Sequence, residues 1–242
     1  MDACQLTETG HPSRPLRVTA ILANGFVAAD PWSPSIDAIL AYAALKVRFG
    51  PALLNMDPHR DGVICEPLPL VRLGLSTWST GVDGDDWYYA CSSPIHAGAE
   101  HVSHFHRRFD DQHERYLDAG KRRLINTKSG RYKSYRLTAV KRLASSVSWF
   151  VLGNGDAIRN LLSQIDAIGK KRAHGDGLVL EWQVQPSTDE DAEAWAELAT
   201  LCRPVPCSHT SPQPDDLRMY WGIRPPMWLV AHRRLCVMPR PL

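Results

Sequence analysis

What this 242-residue sequence lacks narrows its chemistry. No Cys-x-x-Cys occurs among its six cysteines, Cys4, Cys65, Cys91, Cys202, Cys207 and Cys236. The N-terminal stretch "MDACQLTETGHPSRP" has no apolar signal-peptide core. Reduced, mostly buried thiols in a cytoplasmic protein are therefore expected. No apolar run approaches the ~20 residues a membrane span needs, so no membrane partner is expected. Cys202 and Cys207 stand near His209, but a second ligand pair at finger spacing is missing, and no metal is expected.

The familiar enzyme signatures are missing too. "GNGDAI" has Ile158 where a dinucleotide fingerprint needs a third glycine. No Gly-Lys-Ser/Thr closes a phosphate loop, and neither Gly-x-Ser-x-Gly nor His-Glu-x-x-His occurs. Asp110 and Asp111, flanked by Arg107, Arg108 and His113, read as a solvated, charge-mixed face. No cofactor is implied.

One further absence is informative. From Lys121 to Arg142 there is no Asp or Glu, against nine Lys and Arg. A net charge of only +2 thus hides one concentrated positive segment.

The remaining pattern is α+β. "LRVTAILANGF" alternates Leu16, Val18, Ala20 and Leu22 as one strand face. Ser33 as cap and Pro34 at the first position predict a helix with Asp37 in its first turn. Ile36, Ile39, Leu40, Ala43 and Val47 form its inner face, and Gly50-Pro51 ends it. "DDWYYACSSPI" predicts a strand whose Trp87, Tyr88 and Tyr89 belong to the core. "HVSHFHRRFDDQHERYL" is expected to be helical. "SSVSWFVLGN" predicts a strand through Val147, Trp149 and Val151. A helix follows, with Ile158, Leu161, Leu162, Ile165 and Ile168 inward. A glycine-rich loop then leads to a strand with Leu178, Leu180, Trp182 and Val184 on one face. This order is consistent with a ferredoxin-like βαββαβ frame. An extended basic hairpin or loop is inserted from Lys121 to Arg142. "TDEDAEAWAELATLC" predicts an acidic surface helix with Thr188 and Asp191 as a capping box. Eight prolines after Arg203 predict a tail extended over the surface, ending on a strand near "MWLVAHRRLCVM".

Two segments have nucleic-acid logic. In "IGKKRAHGDG", Gly169, Gly175 and Gly177 allow close backbone approach to a phosphate, while Lys170, Lys171 and Arg172 supply charge. A plain exposed turn is the other reading. In "TKSGRYKSYR", Lys128, Arg131, Lys133, Ser134 and Arg136 interleave with Tyr132 and Tyr135. Such faces stack unpaired bases while the cations hold the backbone. Together they favour single-stranded RNA, since no recognition helix for duplex DNA is evident. The histidines His101, His104, His106 and His113 read best as a solvated segment. The catalytic alternative is metal-independent RNA cleavage by His104, His106 or His174, with Lys170 or Lys171 stabilising charge. A structural scaffold binding a partner's acidic face is the third reading.

These stretches together carry a resemblance: "ANGFVAADPWSPSIDAILAYA", "INTKSGRYKSYRL", "LLSQIDAIGKKRAHGDGLVLEWQV" and "WGIRPPMW". They resemble the RAMP subunits of CRISPR effector complexes, and more narrowly the Cas-five-like subunit of type IV systems, over roughly residues 16–240. The resemblance implies a ferredoxin-like (RRM/RAMP) domain at 16–187 with a thumb at about 107–143. The residue pattern itself sets an N-terminal arm at 1–15 before it, and an acidic helix with a proline-rich C-terminal extension at 188–242 after it. The resemblance further implies binding to the 5′ handle of a CRISPR guide RNA and capping of a backbone filament. The backbone and large subunits would be neighbours, near the protospacer-adjacent motif of target DNA. Asp176 departs from the pattern, because an acid is unfavourable beside a phosphate. The stronger expectation of RNA contact therefore falls on "GRYKSYR".

Overall fold

The computed structural model describes residues 13–56, 67–73, 86–109, 126–187 and 203–239. The expected acidic helix after Thr188 lies outside them, as do Asp110, Asp111, His113 and most of the N-terminal arm. Strand β1 (Arg14–Leu22) follows its alternating pattern: Leu16, Val18, Ala20 and Leu22 are buried while Arg14 and Arg17 are exposed. Strand β2 (Phe26–Val27) is short and follows a turn.

Helix α1 spans Ile36–Phe49 and buries Ile36, Ile39, Leu40 and Ala43. Its start differs from the expected Ser33 cap. Asp30 closes a turn there, accepting the Trp32 amide at 3.0 Å, and Ser35 takes the N-cap position. The inner stripe stops at Ala43; Val47 is 62% exposed.

Strands β3 (Arg72–Leu73) and β4 (Tyr88–Tyr89) form a two-stranded pair. Trp87 and Tyr89 are buried as expected, edge to face with centroids 5.1 Å apart. Strands β5 (Ala99–Arg107) and β6 (Tyr135–Leu143) pair antiparallel along their whole length, with β2 added at the base of β6. The helix expected at 101–107 is thus a strand. Val102 and Phe105 suit a pleated ribbon, and the long-range ladder outweighs the weak local preferences of histidine and arginine. The basic hairpin draws its second strand from the expected segment and its first from further upstream.

Strand β7 (Ser146–Gly153), helix α2 (Gly155–Leu162) and strand β8 (Val179–Pro186) complete the main unit. Asn154 caps α2, its Oδ1 accepting the amides of Asp156 and Ala157 at 3.0 Å. β1 lies between β7 and β8 and runs antiparallel to both. α1 packs beside α2. Val18, Ala20, Val147, Trp149, Ile158 and Leu162 meet in one core. Outside β7 there is no regular fourth strand among the described residues, only bridges such as Cys91 to Val151 and Ile95 to Ser148. Pro94 has no amide to give a ladder, and the Ser92 hydroxyl replaces a carbonyl by accepting the Phe150 amide at 3.0 Å.

The expected inner face of β8 is corrected by a bulge opposite Ile21 and Leu22. One residue slips, so Val179 turns to the core while Leu178 and Leu180 are 44% and 66% exposed.

The C-terminal segment is not a surface tail. Strands β9 (Val205–Pro206), β10 (Arg218–Gly222) and β11 (Arg233–Val237) form a sheet in the order β10-β11-β9. Ile223, Cys236 and Met238 bury against Trp32. Arg203 anchors this sheet to the main core. Its guanidinium, almost fully buried, donates to Tyr89 O (2.6 Å), Cys91 Sγ (2.9 Å), Ile223 O (2.8 Å) and the buried Asp37 carboxylate (3.3 Å). Burial works against its charge, but Cys91 and Asp37 hold it above its ordinary pKa. Arg224 donates to Trp87 O at 3.1 Å and lies over the Trp87 ring. Burial of Asp86 favours its neutral form; hydrogen bonds from Arg234 and Ser208 outweigh this and hold its carboxyl below the usual range. Burial, with Cys207 nearby, pushes the Cys236 thiol up to about 12, so it is inert as a nucleophile.

Candidate nucleic-acid interface

The glycine-rich loop is fastened to the body by its backbone. Ile168 donates to Gly177 O (2.9 Å), Gly177 to Gly25 O (2.8 Å) and Lys170 to Val27 O (2.7 Å). Asn24 Nδ2 donates to Gly175 O at 2.8 Å. Gly169 and Gly177 have φ of 76° and 73°. A Cβ at Gly169 would sit 2.6 Å from Val27 O, and one at Gly177 would collide with Ile168 O. These two glycines serve the fold's own close packing. The amides of Lys170, His174, Gly175 and Gly177 are committed to protein carbonyls, so the loop offers a ligand its side chains more than its backbone.

Those side chains meet the β5–β6 arm. In a strand pair, directly opposed residues share a face. The register Phe105 to Leu137, Arg107 to Tyr135 and His101 to Lys141 therefore defines one face. Lys171 places its ammonium 3.8 Å from the Phe105 ring centroid, with the His174 ring 4.9 Å from the same centroid. Phe105 and Tyr135 centroids are 6.1 Å apart, and Arg107 lies 6.0 Å from the Tyr135 ring. Asp176 pairs with Lys141 at 2.6 Å. On the other side of the loop Arg172 reaches over the exposed Tyr42 ring of α1 at 5.1 Å. Cations and aromatic rings from β5, β6, the loop and α1 are thus brought into contact on the two sides of the loop.

Not every sequence candidate joins these contacts. Arg136, His104 and His106 occupy the opposite face of the arm, with the two histidine rings 6.3 Å apart. His174 is on the Phe105 face, so the strand itself separates it from His104 and His106. Lys128, Lys133 and Ser134 are exposed in the turn beyond the ladder. There Asn126 Oδ1 accepts the amides of Lys128 and Ser129 at 2.9 and 3.2 Å. Tyr132 packs against Phe109, centroids 5.2 Å apart. The backbone of Arg131 lies in this turn within the 3-10 segment Gly130–Tyr132.

Phe105, Arg107 and Tyr42, which join these contacts, and Asn24, which anchors the loop, were not legible from the sequence. Phe105 carries a signal only once β5 is known to be a strand. Among the described residues there is no group of His, Cys, Asp and Glu able to hold a metal ion. No described helix is long and apolar enough to cross a membrane.

A family model described as CRISPR type IV associated protein Csf3 matches residues 86–239. The match takes in both strands of the arm, the glycine-rich loop and the C-terminal sheet, and leaves out β1 and α1. No curated protein matches the chain.

Proposed function

Because the chain belongs to the CRISPR type IV associated protein Csf3 family, we propose that it is a non-catalytic, guide-RNA-binding subunit of a type IV ribonucleoprotein. The frame is read as ferredoxin-like, with β5–β6 as its thumb. The subunit grips the 5′ handle of the guide RNA and caps the backbone, next to the large subunit and near the protospacer-adjacent motif of target DNA.

The observation that carries this reading is the meeting of loop and arm at Phe105. Lys170, Lys171, Arg172 and Arg107 provide charge for phosphates, and Phe105, Tyr135 and Tyr42 provide ring faces for bases. The turn at Lys128–Ser134 extends the positive surface beyond the ladder. A general-acid and general-base pair for RNA cleavage needs two groups converging on one phosphodiester. The arm divides His104 and His106 from His174, while His174 and Lys171 both lie on Phe105, so the precursor-RNA test below separates binding from cleavage.

The test compares an RNA carrying the repeat-derived 5′ handle with a scrambled RNA of equal length, in the assembled complex. Tighter binding of the handle RNA is expected, and equal affinity would remove the handle-reading role. Incubation with precursor RNA in chelator is expected to leave it intact. Cleavage that a 2′-deoxy substitution blocks would instead establish the nuclease.

A further inference from the structure

Asp176 poses a chemical contradiction: it is a carboxylate inside the loop that is read as facing phosphates. Building on the RNA-facing reading above, we propose that Asp176 and Lys141 are positioning residues. Their ion pair holds the glycine-rich loop on the inner face of the arm, and the RNA-binding surface exists only in that docked arrangement.

The geometry has a base and a clasp. At the base, Val27 is shared. It pairs with Lys141 in β6 on one side and bridges to Lys170 on the other, where it accepts the Lys170 amide at 2.7 Å. Loop, β2 and arm are thus successive strands of backbone at this one level. Outward from it the ribbon becomes exposed on both faces; β5 has only Ser103 and Phe105 partly covered. A two-stranded ribbon is marginal on its own, so its direction depends on what its side chains touch. The clasp supplies that contact. Lys141 and Asp176 meet at 2.6 Å with only 21% and 20% of their side chains exposed, so salt and water screen this pair less than a surface pair. Lys171 and His174 on Phe105 continue the contact further along the arm.

The pair also resolves the contradiction. Lys141 neutralises the carboxylate inside the docked interface, and Lys170 and Arg172 stay exposed on the outside of the loop. Two segments some thirty residues apart in sequence then present one surface.

This predicts an effect opposite in sign to simple electrostatics. If Asp176 merely repelled RNA, Asp176→Asn would tighten binding. As a positioning residue, it weakens binding by roughly tenfold, or about 1.4 kcal/mol. The full chain is measured with a fluorescein-labelled single-stranded RNA, and separately without RNA by amide hydrogen exchange. Asp176→Asn and Lys141→Met are both expected to speed exchange over residues 169–177 and 99–107. The exchanged pair Lys141→Asp with Asp176→Lys is expected to restore both protection and affinity, which a general loss of folding would not allow. Unchanged exchange in the single variants overturns the clasp. Faster exchange with unchanged or tighter RNA binding overturns its positioning role. Failure of the wild-type chain to bind any RNA would instead defeat the RNA-binding function, while the exchange data still decide whether the clasp exists.

Discussion

The paired substitution Lys170→Ala with Lys171→Ala tests whether the loop cations lie against phosphates. Binding a single strand releases counterions, so log K falls with log salt by ~0.7 per phosphate neutralised. Lys170 is exposed, and Lys171 reaches the interface over Phe105. With both on phosphates, the variant's slope should be shallower by ~1.4. Between ~50 and ~200 mM salt the wild-type chain should then lose about sevenfold more affinity than the variant loses. Lys141 and Arg142 are the built-in contrast. They belong to the basic segment, yet they pair with Asp176 and Glu100, each at 2.6 Å. A count of sequence charges would include them; the structure does not. Fluorescence anisotropy of labelled RNA across a sodium chloride series reads the slope directly. A variant that binds more weakly with an unchanged slope would refute the reasoning, because its lysines would then be supporting structure and not neutralising phosphate.

Three other outcomes are expected. Tyr135→Leu keeps apolar bulk beside Phe105 but removes a ring face, and should weaken RNA binding by ~1–3 kcal/mol if that ring stacks a base; an unchanged Kd excludes it as a platform. Arg203→Met removes the cation paired with the buried Asp37 carboxylate and a donor to the carbonyls of Tyr89 and Ile223, and should cost ~3–5 kcal/mol. Calorimetry of Arg203→Met should show Tm lower by roughly 10 °C, and adding Asp37→Asn should recover part of the loss; a shift within a degree or two would show that the C-terminal sheet is held otherwise. His96 packs on Phe26 at the base of the arm, and burial, with Arg142 nearby, lowers its pKa below 6.5. The unfolded chain then binds the proton more readily, so this contribution to stability is complete above pH 6.5 and is lost as pH falls from there toward the folded pKa. His96→Gln should flatten the fall in Tm over that window, and an identical pH profile in the variant would contradict the assignment.

Much of the main unit could be read from local pattern. Leu16 to Leu22, Val147 to Val151 and Ile158 with Leu162 announce their buried faces, because a strand or helix repeats at fixed spacing whatever it packs against. Residues 101–107 could not be read this way. Histidine and arginine have weak preferences, and the strand forms only through pairing with residues 28 to 40 positions away. The C-terminal sheet was hidden for a related reason. Its prolines suggest an extended chain, whereas its order comes from Arg203, Arg224 and Trp32 reaching distant carbonyls.

By itself, then, the sequence determined the alternating core strands, the glycine-rich turn after α2, the concentration of positive charge before β7 and the resemblance that the family match upholds. Only the tertiary structure decided which of the described cations are held in ion pairs and which stand beside aromatic rings. That choice depends on strand register and on ion pairs between distant segments. Register places Tyr135 toward the loop and Arg136 away from it. The pairing of Lys141 with Asp176 changes an apparently misplaced acid into the contact that joins loop to arm.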